Sequence, residues 1–102
     1  MWTKAALFSE IEEGGSKVVS VDGKDLALFK TEGVVYAMDN TCPHRGGPLG
    51  EGYLENGEVT CPWHAWSFSV KTGECQTMPG ITQPTFPVKI EDGAILVDLR
   101  SR

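Results

Sequence analysis

The sequence has no apolar run approaching the roughly 20 residues that a membrane-spanning helix needs. Its first eight residues, Met1 to Phe8, also have too short an apolar stretch for a signal peptide, and no twin-arginine pair precedes them. We therefore expect that the protein neither enters a membrane nor is exported across one.

Positive charge is scarce as well. The chain has 9 Lys and Arg residues against 14 Asp and Glu residues, which gives a net charge of -5. Phosphate backbones and anionic membrane surfaces attract basic proteins, so this balance argues against both as partners. We expect no nucleic-acid and no membrane partner, and a basic protein surface is the favoured one.

Cysteine is limited to three residues, an odd number, and two of them have a histidine close by. This pattern is a poor fit to a secreted disulfide framework. It favours a reducing, cytoplasmic setting. Cys75 stands apart from the histidines and is expected to be a partly buried free thiol.

Long helical patterns are missing too. Twelve glycines and six prolines divide the chain into short apolar runs, which indicates many turns and short strands. A chain of this length forms one domain at most, burying about two-thirds of its unfolded surface. We predict a single all-β domain over residues 1–102.

Turn dipeptides mark where the predicted strands begin and end. Asp22-Gly23, Asn56-Gly57 and Asp92-Gly93 are typical of tight hairpin turns, because their residues accept positive φ angles. Prolines 79, 84 and 87 predict a long irregular return before the last hairpin. The predicted strands are residues 2–8, 17–21, 25–31, 34–38, 53–54, 58–60, 66–70, 88–90 and 95–99.

Both histidines and two of the three cysteines lie in two short boxes. The first reads Cys42-Pro43-His44-Arg45-Gly46 and the second reads Cys61-Pro62-Trp63-His64. Thiolates and imidazoles are metal ligands, so two Cys-His pairs predict a metal centre. Its candidate ligands are Cys42, His44, Cys61 and His64.

Three kinds of metal centre compete for these ligands. Zinc takes a Cys₂His₂ set, but its sites usually pair like ligands within one block, whereas each box here mixes the two types. A blue-copper site would leave one thiolate unexplained. A [2Fe–2S] cluster with two Cys on one iron and two His on the other uses all four residues.

The two boxes resemble the motif of the Rieske family, Cys-x-His on one loop and Cys-x-x-His on another. The resemblance implies the Rieske fold, an antiparallel β-sandwich or barrel base with an inserted cluster-binding lobe that carries two ligand loops. The base would comprise residues 1–39 and 84–102, and the lobe residues 40–83. It also implies one [2Fe–2S] cluster, with Cys42 and Cys61 on the inner iron and His44 and His64 on the outer, electron-accepting iron. The segment Met78-Pro79-Gly80 resembles the loop that covers the cluster in the family.

Three positions distinguish this chain from the high-potential branch of the family. That branch has a disulfide between its ligand loops and a serine that donates to a cluster sulfide. Gly47 and Trp63 stand at the disulfide positions and Trp66 at the serine position. Fewer donors to the sulfurs predict a potential near the low end of the Rieske range, about −150 mV. Trp63 and Trp66 could equally pack under the loops or contact a partner.

The resemblance implies an electron carrier and not an enzyme, since the chain lacks room for a flavin domain and shows no acid–base pair. The expected donor is an NAD(P)H-dependent flavoprotein reductase, and the expected acceptor is the terminal non-haem iron oxygenase of a dioxygenase system. An alternative is the small subunit of an assimilatory NAD(P)H nitrite reductase, bound to a large subunit. A zinc-stabilised binding module is the third hypothesis.

Overall fold

The computed structural model describes residues 2–41, 48–62, 66–78 and 80–99. Two 3₁₀ helices (Phe8–Glu10 and Leu49–Glu51) occur in these ranges, and no α-helix does. The described ranges contain no helix with the length and apolar character needed to cross a bilayer. Their strands are β1 (Trp2–Leu7), β2 (Ser16–Val21), β3 (Lys24–Thr31), β4 (Val34–Asp39), β5 (Tyr53–Glu55), β6 (Glu58–Thr60), β7 (Ser67–Ser69), β8 (Thr85–Phe86), β9 (Val88–Glu91) and β10 (Ala94–Asp98).

The strands form three antiparallel sheets, which confirms the all-β prediction. The sheet orders are β1-β10-β9, β2-β3-β4-β8 and β5-β6-β7. Pairing of Trp2 with Asp98 joins the two ends of the chain. One prediction was wrong: residues 84–87 are not simply irregular, because β8 pairs with Ala37 and Met38 of β4.

Four hairpin turns have the same backbone conformation. In each of them both central residues have positive φ, as the right-handed twist of the flanking strands demands. Three of them contain Asp-Gly or Asn-Gly pairs. In the fourth turn, Glu32-Gly33, Glu32 has φ 54°. The carboxylate of Glu13 stabilises this turn, because it accepts hydrogen bonds from the N–H groups of Gly33 (2.9 Å) and Glu32 (2.6 Å). These two bonds lower the pKa of Glu13 below its ordinary value.

The sheet β2-β3-β4-β8 is the middle layer, because β3 and β4 are buried on both faces. Successive residues of a strand point to opposite sides. Leu26 and Leu28 of β3 therefore face a first core shared with Ile95 and Val97 of β10. The second core is on the opposite face of the sheet and contains Ala27, Phe29, Met38, Leu49, Val59, Cys61, Phe68, Val70 and Cys75.

The second core connects the middle sheet to the segment that carries the Cys-His boxes. Phe29 and Met38 from the middle sheet are fully buried there against Val59 of β6 and Phe68 of β7. Burying a side chain of this size stabilises the fold by about 1.5–3 kcal/mol. The small sheet β5-β6-β7 is thereby fixed on the middle sheet, and this fixes the strand end that precedes Cys61.

Candidate metal centre

Three of the four predicted ligands lie outside the described residues: Cys42, His44 and His64. The same holds for Gly47 and Trp63, on which the prediction of a low potential depends. Cys61 is described, and so are the chain segments that enter and leave both loops. The described part of the site therefore consists of Cys61 and the segments that support the two loops.

The ends of the first loop, residues 42–47, are held together. Thr41 and Pro48 form an antiparallel bridge across them. Behind the bridge, Asn40 accepts two hydrogen bonds from the returning chain: its backbone oxygen from Leu49 N (2.8 Å) and its Oδ1 from Gly50 N (2.7 Å). Asn40 is itself buried. The residues on both sides of the segment that contains Cys42 and His44 are thus fixed.

The residues that flank the second loop, 62–65, between β6 and β7 are held together in a similar way. Cys61 N donates to Trp66 O at 2.8 Å, and the hydroxyl groups of Thr60 and Ser67 are 3.0 Å apart. Cys61 is only 1% exposed and belongs to the second core. Trp66 is half-buried against the same core, which supports a packing role for this tryptophan.

Gly52 brings the supports of the two loops together. A Cβ atom at this position would overlap the carbonyl oxygen of Thr60, the residue before Cys61, and would also lie 3.2 Å from Leu49 O. Only glycine permits this approach. The chain that returns from the first loop therefore runs directly beside the chain that enters the second.

A third segment, residues 75–78 and 80–81, contacts β7, the strand that follows the second loop. Cys75 N donates to Ile81 O at 2.9 Å, and Cys75 Sγ accepts a hydrogen bond from Met78 N at 3.3 Å. Gln76 N donates to Ser67 O of β7 at 2.7 Å. Cys75 is a free thiol and 8% exposed, in line with the expectation of a partly buried one. Met78 is exposed, and Pro79 lies outside the described residues.

Two polar residues that support the first loop were missed by sequence reasoning. Gln83 is 1% exposed, and its Nε2 donates to Asp39 O (2.5 Å) and Thr41 O (2.7 Å). An isolated Gln or Asn in a sequence is usually a surface residue. Neither Asn40 nor Gln83 belongs to a recognisable motif, so their roles become visible only in the fold.

The donor chemistry fits an iron–sulfur cluster. Cys61 places a thiol in an almost water-free position at the end of a rigid strand, and burial is one of the factors that set the properties of such clusters. Two thiolates and two imidazoles are the ligand set of a Rieske [2Fe–2S] centre. Among the described residues, no group of three or more Cys, His, Asp or Glu side chains offers another metal site.

Comparisons with known proteins point the same way. A family model described as the Rieske [2Fe-2S] domain matches residues 1–90. The ferredoxin component of the naphthalene 1,2-dioxygenase system of Pseudomonas putida is 44% identical over 100 residues, covering 96% of this chain and 95% of that protein.

Two solved structures have closely similar folds. One is the complex of reduced oxygenase and oxidized ferredoxin in carbazole 1,9a-dioxygenase, with a TM-score of 0.87 and 30% identity, covering 94% of this chain and 91% of that one. The other is a putative NADH-dependent nitrite reductase small subunit from Mycobacterium tuberculosis, with a TM-score of 0.87 and 27% identity, covering 95% and 93%.

Proposed function

This chain belongs to the Rieske [2Fe-2S] domain family, and from this premise we propose that it is a single-electron carrier, the ferredoxin component of a ring-hydroxylating dioxygenase system. The observation that carries the proposal is the match to the naphthalene dioxygenase ferredoxin component, which spans 96% of this chain and 95% of that protein. By this proposal the protein transfers electrons and leaves the oxygen chemistry to a partner.

We propose Cys42, His44, Cys61 and His64 as the ligands of one cluster. The positions of the flanking residues support this assignment. The residues on both sides of each loop are held together, and Gly52 lets the segments that flank the two loops lie side by side. Such a cluster takes up and releases one electron at a time. The protein's contribution is to hold the four donors and to keep water from the thiolate side, where Cys61 is buried.

We further propose that residues 1–39 and 84–102 form a base and residues 40–83 a cluster-binding lobe. The pairing of β1 with β10 and of β4 with β8 supports the base, and the separate sheet β5-β6-β7 supports the lobe. The second core would join the two parts.

The proposed partners are a flavoprotein reductase as donor and a terminal oxygenase as acceptor. The carbazole dioxygenase structure is a complex of a ferredoxin with its oxygenase, which supports the second assignment. The proposed location is the cytoplasm, where NAD(P)H is available and where a free thiol such as Cys75 stays reduced.

A second candidate is the small subunit of a nitrite reductase, which the structural similarity to the mycobacterial protein favours. The two functions differ in assembly, since the subunit stays bound to a large sirohaem subunit and the ferredoxin moves between partners. Isolation of the native protein from its host separates them. A separate chain that a reductase reduces rapidly fits the ferredoxin, and a stable complex with a sirohaem protein overturns it.

The ligand assignment is tested with the purified chain. The wild type should contain two irons and two sulfides per chain, be red-brown, and take up one electron from dithionite. Replacing any one ligand, for example Cys61→Ser, should abolish the visible spectrum. Cys75→Ser is the matched control and should keep full iron content, because Cys75 is not among the proposed ligands. A colourless wild type with one zinc per chain would refute the electron-carrier function.

A further inference from the structure

The three residues before Cys42 have no unsatisfied backbone group. Asp39 N donates to Pro84 O (3.0 Å) and Asn40 N donates to Asp25 O (3.1 Å), while Asn40 O accepts from Leu49 N (2.8 Å). Thr41 N donates to the side chain of Asp39 at 2.9 Å. Two carbonyl groups remain, those of Asp39 and Thr41. Both accept from the side-chain amide of Gln83.

Gln83 uses both of its side-chain N–H groups on this segment. The donor distances are 2.5 Å to Asp39 O and 2.7 Å to Thr41 O, and the residue is 1% exposed. The amide itself is therefore almost out of reach of water, and its two hydrogen bonds are partly buried. A carbonyl that loses its donor in such a place costs more than the lost bond alone, because the group has already been partly removed from water.

The position of Gln83 is set independently of the loop. Its backbone N–H donates to Gly73 O at 2.7 Å, and the next residue, Pro84, accepts from β4. Gly73 has φ +82°, and a Cβ there would overlap Gln83 O. The backbone on both sides of Gln83 is thus fixed to the turn after β7 and to the middle sheet. Its side chain is a rigid support against which the segment 39–41 rests.

From this geometry we propose that Gln83 is a positioning residue for the cluster, acting through the carbonyl groups of Asp39 and Thr41 to fix the conformation of the first ligand loop. Thr41 directly precedes the proposed ligand Cys42, so a shift of Thr41 is passed to the loop without an intervening residue. Hydrogen bonds to the sulfurs and solvent exposure set the potential of such a cluster, and both depend on the loop backbone. This inference rests on the proposed function.

The test replaces the amide while keeping the shape of the side chain. Gln83→Met has a similar length and no donor. Gln76→Met is the matched control, because Gln76 is exposed and its Nε2 donates to a single carbonyl, Glu74 O, at 3.1 Å. Both variants and the wild type are compared in the iron-loaded form by redox titration, by EPR of the reduced cluster, and by the rate of bleaching in air. Far-UV circular dichroism reports the fold and, on heating, the unfolding temperature.

We expect Gln83→Met to keep the circular dichroism spectrum of the wild type, to change its EPR spectrum and midpoint potential, and to bleach about tenfold faster, while Gln76→Met matches the wild type. A merely structural role would lower the unfolding temperature and leave the EPR spectrum and potential unchanged. If Gln83→Met has the same EPR spectrum and the same midpoint potential as Gln76→Met, the positioning role is wrong.

Gln83→Glu keeps the test decisive if Gln83→Met does not fold. Its ionised carboxylate places oxygen atoms against two carbonyl groups, whereas the protonated acid can donate to one of them. The differences in potential and EPR spectrum between this variant and the wild type should therefore shrink as the pH falls below neutral, a range in which the wild-type midpoint is expected to stay constant. A variant identical to the wild type at every pH would overturn the proposal. A wild type without iron would instead overturn the proposed function, before any variant is compared.

Discussion

Replacing Gly52 by alanine should destabilise the protein through a single backbone contact. Gly52 has φ −83°, a conformation that any residue adopts, so the substitution carries no penalty for the backbone angle. The difficulty is space. The new Cβ would overlap Thr60 O, and it would lie 3.1 Å from Thr60 C and 3.2 Å from Leu49 O. All three atoms belong to the backbone and cannot rotate away.

The expected loss in the free energy of unfolding follows from the displacement of the Thr60 backbone. Overpacking of this kind costs about 1–3 kcal/mol. Thr60 also pairs with Tyr53 in the β5–β6 ladder and with Ser67 in the β6–β7 ladder. Weakening one of these ladder bonds adds about 1 kcal/mol, so the free energy of unfolding should fall by about 2–4 kcal/mol. For a domain of this size each kcal/mol lowers the unfolding temperature by about 4–8 °C, which gives a decrease of about 8–32 °C.

Gly57→Ala provides the comparison. Gly57 has φ +79°, and beyond its chain neighbours no atom lies within 4 Å of the position that a Cβ would take, so only its left-handed backbone angle opposes alanine. That penalty is about 1–2 kcal/mol. Backbone angles alone would rank Gly57→Ala as the more harmful change, and the contact with Thr60 reverses this order.

The assay is thermal unfolding followed by circular dichroism at one fixed scan rate, because loss of the cluster makes unfolding irreversible. Visible absorbance is recorded in parallel. We expect Gly52→Ala to unfold at a lower temperature than Gly57→Ala and to bleach sooner, since Thr60 directly precedes Cys61. If Gly52→Ala unfolds at the same temperature as Gly57→Ala or higher, the contact does not limit the approach of the two loop supports, and the reasoning is refuted.

Three further predictions concern the potential and the pH. Redox titration monitored by EPR should give a midpoint near the low end of the Rieske range, about −150 mV, and a value several hundred millivolts positive would contradict the role given to Gly47, Trp63 and Trp66. The midpoint potential should also fall as the pH rises above neutral, because an imidazole bound to oxidised iron loses its second proton more readily than one bound to reduced iron. A midpoint potential that does not change with pH would count against ligation by His44 and His64. Glu13→Ala should unfold at a lower temperature than the wild type at pH 7. The pKa of Glu13 is lowered in the folded state, so its contribution is present above the unfolded-state pKa and is lost as the pH falls through the folded-state pKa. The difference between the two proteins should therefore shrink in acid, and an equal difference at pH 7 and in acid would show that the carboxylate charge has no part in it.

The three Asp-Gly and Asn-Gly hairpins could be located from the sequence because a tight turn depends on residues that are adjacent in the chain. At Asp22-Gly23, for example, both residues have positive φ and the flanking strands pair as predicted. The ends of the strands were less accurate, since they depend on pairing. The two-residue strand β8 was missed for this reason: it exists only because β4 lies beside it.

The division of the protein into two cores could not be obtained from periodicity. Leu26, Ala27, Leu28 and Phe29 form a continuous apolar run, and alternation along it shows only that both faces are apolar. What covers each face depends on strands far along the chain. Ile95 covers one face and Phe68 the other.

The donor set of the proposed metal centre was determined by the sequence alone. Ligand type and spacing are local properties, and the two Cys-His boxes carry them without reference to the fold. The means of holding the loops was decided only by the tertiary structure. Gln83 acts on Asp39 and Thr41 across more than forty positions, and Gly52 is required only because Thr60 lies against it. Hydrogen bonds and contacts of such long range leave no local pattern in a sequence, because any residue with the right donor or the right size satisfies them once the fold has brought the segments together.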